Sequence, residues 1–166
     1  MELKTDVSLV GTAWNKATDA LAPIFKTRTH YMLYMLSLAI GIMYDQRIAH
    51  PEENGEEPKS VPRNVIRNQD NGKLDFIFQA AILSTKTEEK SEEERLELAF
   101  GENVSFNKME FLTQFANFGV TKLVELIGTS NVETMENIKN FLAMSVEGRN
   151  LEIDALPDDY LISEEL

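Results

Sequence analysis

The sequence predicts an all-α fold, a single compact domain of about five to six helices around an apolar central helix, with a long loop at residues 48–72 and an acidic C-terminal tail. Apolar residues recur at helical spacing along most of the chain. No window alternates apolar and polar residues with the β-branched enrichment that is typical of strands. We expect the helical domain to cover residues 1–146 and the tail to cover residues 147–166.

The central helix is predicted between Tyr31 and Tyr44, where nearly every residue is apolar. A helix that is apolar on all sides belongs in a core. The run is shorter than the roughly 20 residues that cross a bilayer, so no membrane span is expected. Thr27 or Thr29 would cap its start. A glycine inside a helix weakens it, and Gly41 therefore indicates the close approach of another helix, with Gly119 as its candidate partner.

Five further helices are predicted at residues 6–22, 73–85, 91–100, 107–127 and 132–144. Asp6 is expected to cap the first helix and Pro23 to end it, because the residue before a proline is disfavoured in a helix. Trp14 is expected to anchor the core. The segment Ser91–Glu94 has the pattern of a capping box.

The remaining apolar positions are assigned to the core in the same way. Leu96, Leu98, Ala99 and Phe100 are expected to supply the apolar contacts of the short acidic helix with the core. In the last helix, Ser130 or Asn131 would be the cap. Met135, Ile138 and Leu142 are expected to point inward, with Phe141 as a further candidate. Val65 and Ile66 are expected to hold the long loop onto the core.

The net charge of −12 is concentrated in two segments. Residues 88–102 carry seven acids and two bases, and residues 147–166 carry seven acids and one base. The first fifty residues are close to neutral. Affinity for a phosphate backbone comes largely from basic contacts, so this balance disfavours direct nucleic-acid binding and favours a neutral or basic protein partner.

The residue types of common catalytic, cofactor and metal sites are missing or scattered. The chain has no cysteine, and its two histidines, His30 and His50, lack the spacing of metal ligands. It has no Gly-x-Ser-x-Gly turn and no glycine-rich phosphate loop. We therefore expect a non-enzymatic protein without cofactor or metal. The N-terminus has no leader pattern, so a cytoplasmic location is expected.

One basic constellation is a candidate anion or nucleic-acid site. Arginine in amide-rich segments suits the bidentate recognition of phosphate. Ordinary solvated cations, paired with the many acids, are the competing interpretation. The candidate residues, which flank the central helix, are Lys26, Arg28, Arg47, Arg63, Arg67 and Lys73.

The tail mixes acids with apolar residues. It can be a final element packed on the core, a solvated end, or an acidic and hydrophobic linear motif that docks on a partner. The candidate docking residues are Leu156, Tyr160, Leu161 and Ile162.

Four segments carry a resemblance to a known family: residues 24–47, 61–66 (VPRNVI), 74–86 and 111–127. Their order is similar to that of small accessory proteins encoded beside bacterial DNA phosphorothioation (Dnd) loci, in particular Dnd system-associated protein 4. The resemblance covers about two-thirds of the chain. It implies a non-catalytic component of a phage-defence or DNA-modification locus, with no family catalytic residues to carry over.

Two functions follow as hypotheses. The first is an accessory subunit that binds a larger protein, such as a DNA-acting enzyme complex, with a second copy of the chain as another partner. The alternative is a DNA-binding regulator that uses the basic residues from Lys26 to Lys73, with the acidic tail as autoinhibitor. An enzyme built from scattered carboxylates is a third and weaker hypothesis.

Overall fold

The computed structural model describes residues 5–25, 30–53, 55–86, 90–101 and 106–153, and for residues 146–153 it describes the backbone only. Within these ranges the fold is all-α, as predicted, apart from one small antiparallel sheet. The elements are β1 (Val7–Leu9), α1 (Thr12–Phe25), α2 (His30–Tyr44), β2 (Lys59–Val61), α3 (Arg63–Asp70), α4 (Lys73–Ser84), α5 (Glu92–Phe100), α6 (Lys108–Glu125) and α7 (Asn131–Ile153). The chain divides into two compact units, residues 1–125 and 126–166. Among the helices described, none has both the length and the apolar character that a bilayer crossing requires.

The first unit is built on the crossing of α2 and α6. The two backbones touch there, because a Cβ atom on Gly41 would lie 2.6 Å from the carbonyl carbon of Phe115. A Cβ atom on Gly119 would lie 2.6 Å from the carbonyl carbon of Ser37 and 2.9 Å from the nitrogen of Gly41. Only glycine fits at either position, so the predicted pairing of Gly41 with Gly119 is confirmed.

Trp14 anchors α1 to this crossing, as predicted, and is fully buried. Its ring stacks on that of Tyr34, with centroids 6.4 Å apart. The indole Nε1 donates a hydrogen bond to Oδ1 of Asn117 at 2.9 Å. Nδ2 of Asn117 in turn donates to the carbonyl of Ile48 at 3.0 Å. One amide side chain therefore ties α1, α6 and the segment after α2 together.

The predicted helix at residues 6–22 is wrong in its first part, where β1 lies instead. Val7 and Leu9 are buried and Ser8 between them is exposed, the alternation of a half-buried strand. Asp6 does not cap α1. Its Oδ1 accepts a hydrogen bond from the backbone N–H of Arg63 at 2.9 Å and so supplies the cap that Pro62 cannot offer α3.

The predicted stop at Pro23 is also wrong, because α1 continues to Phe25. Proline removes the N–H that would bond to the carbonyl four residues earlier. Here that carbonyl belongs to Asp19, which is exposed, so water can take the place of the missing donor. The proposed caps of α2, Thr27 and Thr29, lie outside the described residues.

The predicted loop at residues 48–72 contains β2 and α3. β2 pairs antiparallel with β1, with Val61 opposite Val7 and Lys59 opposite Leu9. The turn residues of the sequence mark the ends of elements here: Pro62 is the N-cap residue of α3, and Asn71 and Gly72, both with positive φ, separate α3 from α4. The buried side chain of Ile66 holds α3 to the core, as predicted.

The second unit contains α7 and the turn before it. Ser130 caps α7 as predicted, since its Oγ accepts from the N–H of Glu133 at 3.2 Å. The helix continues beyond its predicted end at Met144, as far as Ile153. It includes Gly148, although a glycine inside a helix costs about 1 kcal/mol. The predicted boundary at residue 147 remains a prediction.

The inward orientation predicted for two side chains of α7 is wrong. Met135 and Leu142 are exposed. Ile138 is buried, as predicted, and Thr134, one helical turn before it, lies on the same buried face. Met135 and Leu142 lie beside that face.

Replacing Gly41 with alanine should lower the free energy of unfolding by at least about 2 kcal/mol. Overpacking a core costs about 1–3 kcal/mol, and the methyl group would meet the backbone of Phe115, which cannot rotate away. Urea unfolding can be followed by the fluorescence of Trp14, the only tryptophan in the chain. Ala39→Ser, which adds one atom at an exposed position of α2, is the control, and equal unfolding midpoints for the two variants would contradict the prediction.

Replacing Asn117 with alanine should destabilise the first unit by about 2 kcal/mol. The substitution leaves the indole N–H of Trp14 and the carbonyl of Ile48 without their partner, and an unpaired buried polar group costs about 1–3 kcal/mol. Asn68→Ala, at an exposed position of α3, should change the unfolding free energy little in the same urea titration. A loss of the same size in both variants would show that the bridge contributes nothing.

Candidate interaction surface

The residues of the predicted basic constellation fall in different parts of the structure. Lys26 and Arg28 lie outside the described residues. Arg47 follows α2 and packs on α6. Arg63, Arg67 and Lys73 are exposed on α3 and at the start of α4, and we call these three residues the α3 basic face. Their role in anion binding remains a prediction.

Arg47 is half-buried against an aromatic cluster. Its guanidinium carbon lies 5.1 Å from the ring centroid of Phe111 and 5.6 Å from that of Phe115. Its Nη1 lies 3.5 Å from Oε1 of Gln114. A guanidinium over aromatic faces gains cation–π attraction, so Arg47 contributes packing between the end of α2 and α6.

The α3 basic face has the geometry of a small cationic surface. Arg63 and Arg67 are four residues apart and therefore lie on the same side of α3. Nζ of Lys73 lies 3.5 Å from the carbonyl oxygen of Gln69. Asp70 closes this end of α3, because its Oδ1 accepts from the Tyr31 hydroxyl at 3.1 Å and from the N–H of Leu74 at 2.9 Å.

Two of the cavities that described residues of the first unit line lie against α6. The first, of about 480 Å³, lies between β1 and the N-terminal half of α6 and has Asp6 and Glu110 in its lining, which disfavours an anion. The second, of about 590 Å³, lies over Trp14 and is lined in part by Lys16, His50 and Glu52. In the part of the chain that the structure describes, no three histidine or carboxylate side chains converge as a metal site would require.

The most distinctive surface feature is a set of large apolar side chains left exposed on two neighbouring helices, α4 and α5. α4 packs against α5, and both helices bury one face. Their other faces expose Phe76 (70%), Leu83 (39%), Leu96 (45%) and Phe100 (61%). These four residues define the α4–α5 surface.

Helix geometry explains why these side chains are outside. In α4 the buried residues Leu74, Phe78 and Ile82 follow one another at four-residue spacing. Phe76 and Leu83 lie seven residues apart, two turns along the opposite side. In α5 the fully buried residue is Ala99, and Leu96 and Phe100 lie one turn apart on an exposed side. Leu83 and Leu96 line the same shallow cavity of about 390 Å³, which joins the two rows.

The predicted capping box fixes the start of α5. Oγ of Ser91 accepts from the N–H of Glu94 at 3.2 Å, and Oε2 of Glu94 accepts from the N–H of Ser91 at 2.8 Å. The hydrogen bond from the Ser91 backbone holds the pKa of the Glu94 carboxyl below its ordinary value. Glu92, Glu93 and Glu97 are exposed on the same helix, so acids border the apolar side chains.

Sequence reasoning missed this surface. It assigned Leu96 and Phe100 to the core, and the structure exposes both. It did not assign Phe76 or Leu83 to any face. The spacing of Leu74, Phe78 and Ile82 already fills the buried face of α4, and this pattern would have placed Phe76 and Leu83 outside.

The predicted docking residues of the tail, Leu156, Tyr160, Leu161 and Ile162, lie outside the described residues. No protein-family model, curated protein or solved structure matches the chain. The resemblance to the Dnd-associated accessory proteins therefore remains a prediction.

If the α3 basic face binds DNA, the double variant Arg63→Ala/Arg67→Ala should weaken the retardation of a short duplex in a gel. Each phosphate contact contributes about 0.9 to the slope of log affinity against log salt, so the slope should fall by about 2. The assay compares salt concentrations between about 50 and about 200 mM. Lys16→Ala/Lys139→Ala, which removes two exposed cations outside the constellation, is the control and should leave the retardation nearly unchanged. Retardation that is unchanged in the double variant excludes this face.

Proposed function

We propose that this protein is a non-catalytic accessory subunit of a bacterial phage-defence or DNA-modification system, and that it acts by binding a larger, DNA-acting protein. The α4–α5 surface carries the proposal. An aromatic side chain has about 150–250 Å² of surface, so the exposed fractions of Phe76 and Phe100 amount to roughly 250 Å². Apolar patches of a few hundred Å² on a folded protein are often functional, and Leu83 and Leu96, which share one cavity between the two helices, add to this exposed area.

The charge distribution supports a protein partner that itself handles DNA. Residues 88–102, which include α5, carry a net charge of −5. Such a segment is repelled by a phosphate backbone and attracted to the basic surfaces of proteins that bind one. The resemblance of residues 24–47, 61–66, 74–86 and 111–127 to Dnd-associated accessory proteins supplies the biological setting of the proposal.

A DNA-binding regulator is the second candidate, favoured by one observation, the α3 basic face. Arg63 and Arg67 are spaced for adjacent phosphates on one exposed side of a helix. In this scheme the acidic tail would compete with DNA for the basic residues. The net charge of −12 weighs against DNA binding. The retardation assay with Arg63→Ala/Arg67→Ala decides between the two candidate functions.

The proposal is tested by affinity purification of the tagged protein from its native host, with quantitative mass spectrometry. The full-length protein should recover a DNA-acting enzyme encoded at the same locus. Phe76→Ser/Phe100→Ser should lose that enzyme, because the variant removes the two largest apolar side chains of the α4–α5 surface. Met32→Ser, a change at an exposed apolar residue of α2, is the matched control.

A version that ends at Ile153, the last residue of α7, locates the binding segment. Loss of the enzyme with this version alone would assign docking to the tail residues, including Tyr160 and Leu161. Loss with Phe76→Ser/Phe100→Ser alone assigns it to the α4–α5 surface. Recovery of the full-length protein without any DNA-acting enzyme would refute the proposed function.

A further inference from the structure

We infer that the α4–α5 surface receives a basic amphipathic helix of the partner protein. This inference deepens the proposed function and rests on it for the use of this surface as a docking site. It adds the secondary structure and the charge of the segment that binds. Neither follows from the resemblance to a family.

The surface is shaped for a short helical segment. From Phe76 to Leu83 the apolar row of α4 extends by two turns, about 10 Å at 1.5 Å per residue. Leu96 and Phe100 add one further turn on α5. The cavity shared by Leu83 and Leu96 lies where the two rows meet. This length fits an apolar helix face with anchors at positions i, i+3 or i+4, and i+7.

The chemistry of the surface favours a helix over an extended peptide. α4 and α5 present side chains there, and their backbone groups bond within the helices. A docking segment finds no strand edge on these two helices, so any backbone group that docking removes from water must find its hydrogen bond within the segment itself. A helix meets this requirement, and its side chains can pack between the ridges of α4 and α5.

The acids around the surface give the partner helix its sign of charge. Glu93 and Glu97 are exposed one turn apart on α5, next to Leu96 and Phe100. Lys90 and Arg95 line the cavity beside Leu83, but among the described residues of this segment the acids Glu92, Glu93, Glu94 and Glu97 outnumber these two bases. Lysine or arginine flanking the apolar anchors of the partner would complement this rim and raise the rate of association.

A second copy of the chain is a poorer occupant of the same surface. Two copies facing each other through α5 would place the acids of one copy near those of the other. Like charges brought together at an interface oppose association. The charge of the rim therefore opposes a symmetric dimer through α5 and favours a basic segment.

The inference is tested with the full-length protein and fluorescein-labelled model peptides of about 18 residues, five helical turns. One peptide is an amphipathic helix of leucine and lysine, a second has glutamate in place of lysine, and a third is a scrambled leucine–lysine sequence. Fluorescence anisotropy at physiological salt should show binding of the first peptide, at least roughly tenfold tighter than of the other two. A tenfold difference corresponds to about 1.4 kcal/mol.

Two sets of variants locate the binding. Phe76→Ser/Phe100→Ser should weaken binding of the leucine–lysine peptide at least roughly tenfold, whereas Met32→Ser should leave it unchanged. Glu93→Lys/Glu97→Lys should weaken it and improve binding of the leucine–glutamate peptide. Asp19→Lys/Glu136→Lys changes the net charge by the same amount at exposed positions outside α5, and should preserve the preference for the lysine peptide.

Equal affinity for the leucine–lysine and leucine–glutamate peptides would overturn the charge assignment, and equal affinity for the scrambled peptide would overturn the helix. Binding that survives Phe76→Ser/Phe100→Ser would place the site elsewhere. If the native enzyme is captured through the α4–α5 surface but the basic peptide does not bind, the inference fails and the proposed function stands. If the basic peptide binds there but no DNA-acting enzyme is recovered, the proposed function fails and the inference stands.

Discussion

The backbone contact between Gly41 of α2 and Gly119 of α6 is the constraint on which the first unit depends. It brings the helices so close that the carbonyl groups of Ser37 and Phe115 occupy the space of a side chain. Neighbouring residues of α6 then reach their partners: Phe115 lies under Arg47, and Asn117 bonds to Trp14. A wider crossing would pull Asn117 away from Trp14 and leave buried polar groups unpaired.

Features that depend on local sequence could be predicted. The core position of Trp14 and the capping box of Ser91 both follow from side chains within one or two turns, and a glycine within an apolar helix is itself a signal of close packing. β1 and β2 could not be found in this way. Each has three residues, too short to show a strand period. Their pairing joins Val7 to Val61 across the sequence, and α3 depends on the same distant contact through Asp6.

The candidate surface was predictable in part. The four-residue spacing of Leu74, Phe78 and Ile82 indicates the buried side of α4, and Phe76 and Leu83 then fall on the opposite side. Phe100 could equally have been buried, and only the packing of Ala99 decides its orientation. Arg47 is an example of a charged residue that is more buried than its position suggests. An arginine just after a helix is expected to contact solvent, whereas Arg47 packs on two aromatic rings.

The pairing of β1 with β2 has a consequence for the order of folding. α1 and α2 lie between the two strands in the sequence. The chain must therefore close a loop of some fifty residues before β2 can pair with β1 and Asp6 can cap α3. Closing such a loop costs entropy that local helix formation does not, and contacts of this sequence separation slow folding. During synthesis β1 leaves the ribosome before β2, and it cannot pair until residues 59–63 have also emerged. The N-terminal strand is therefore made early and incorporated late.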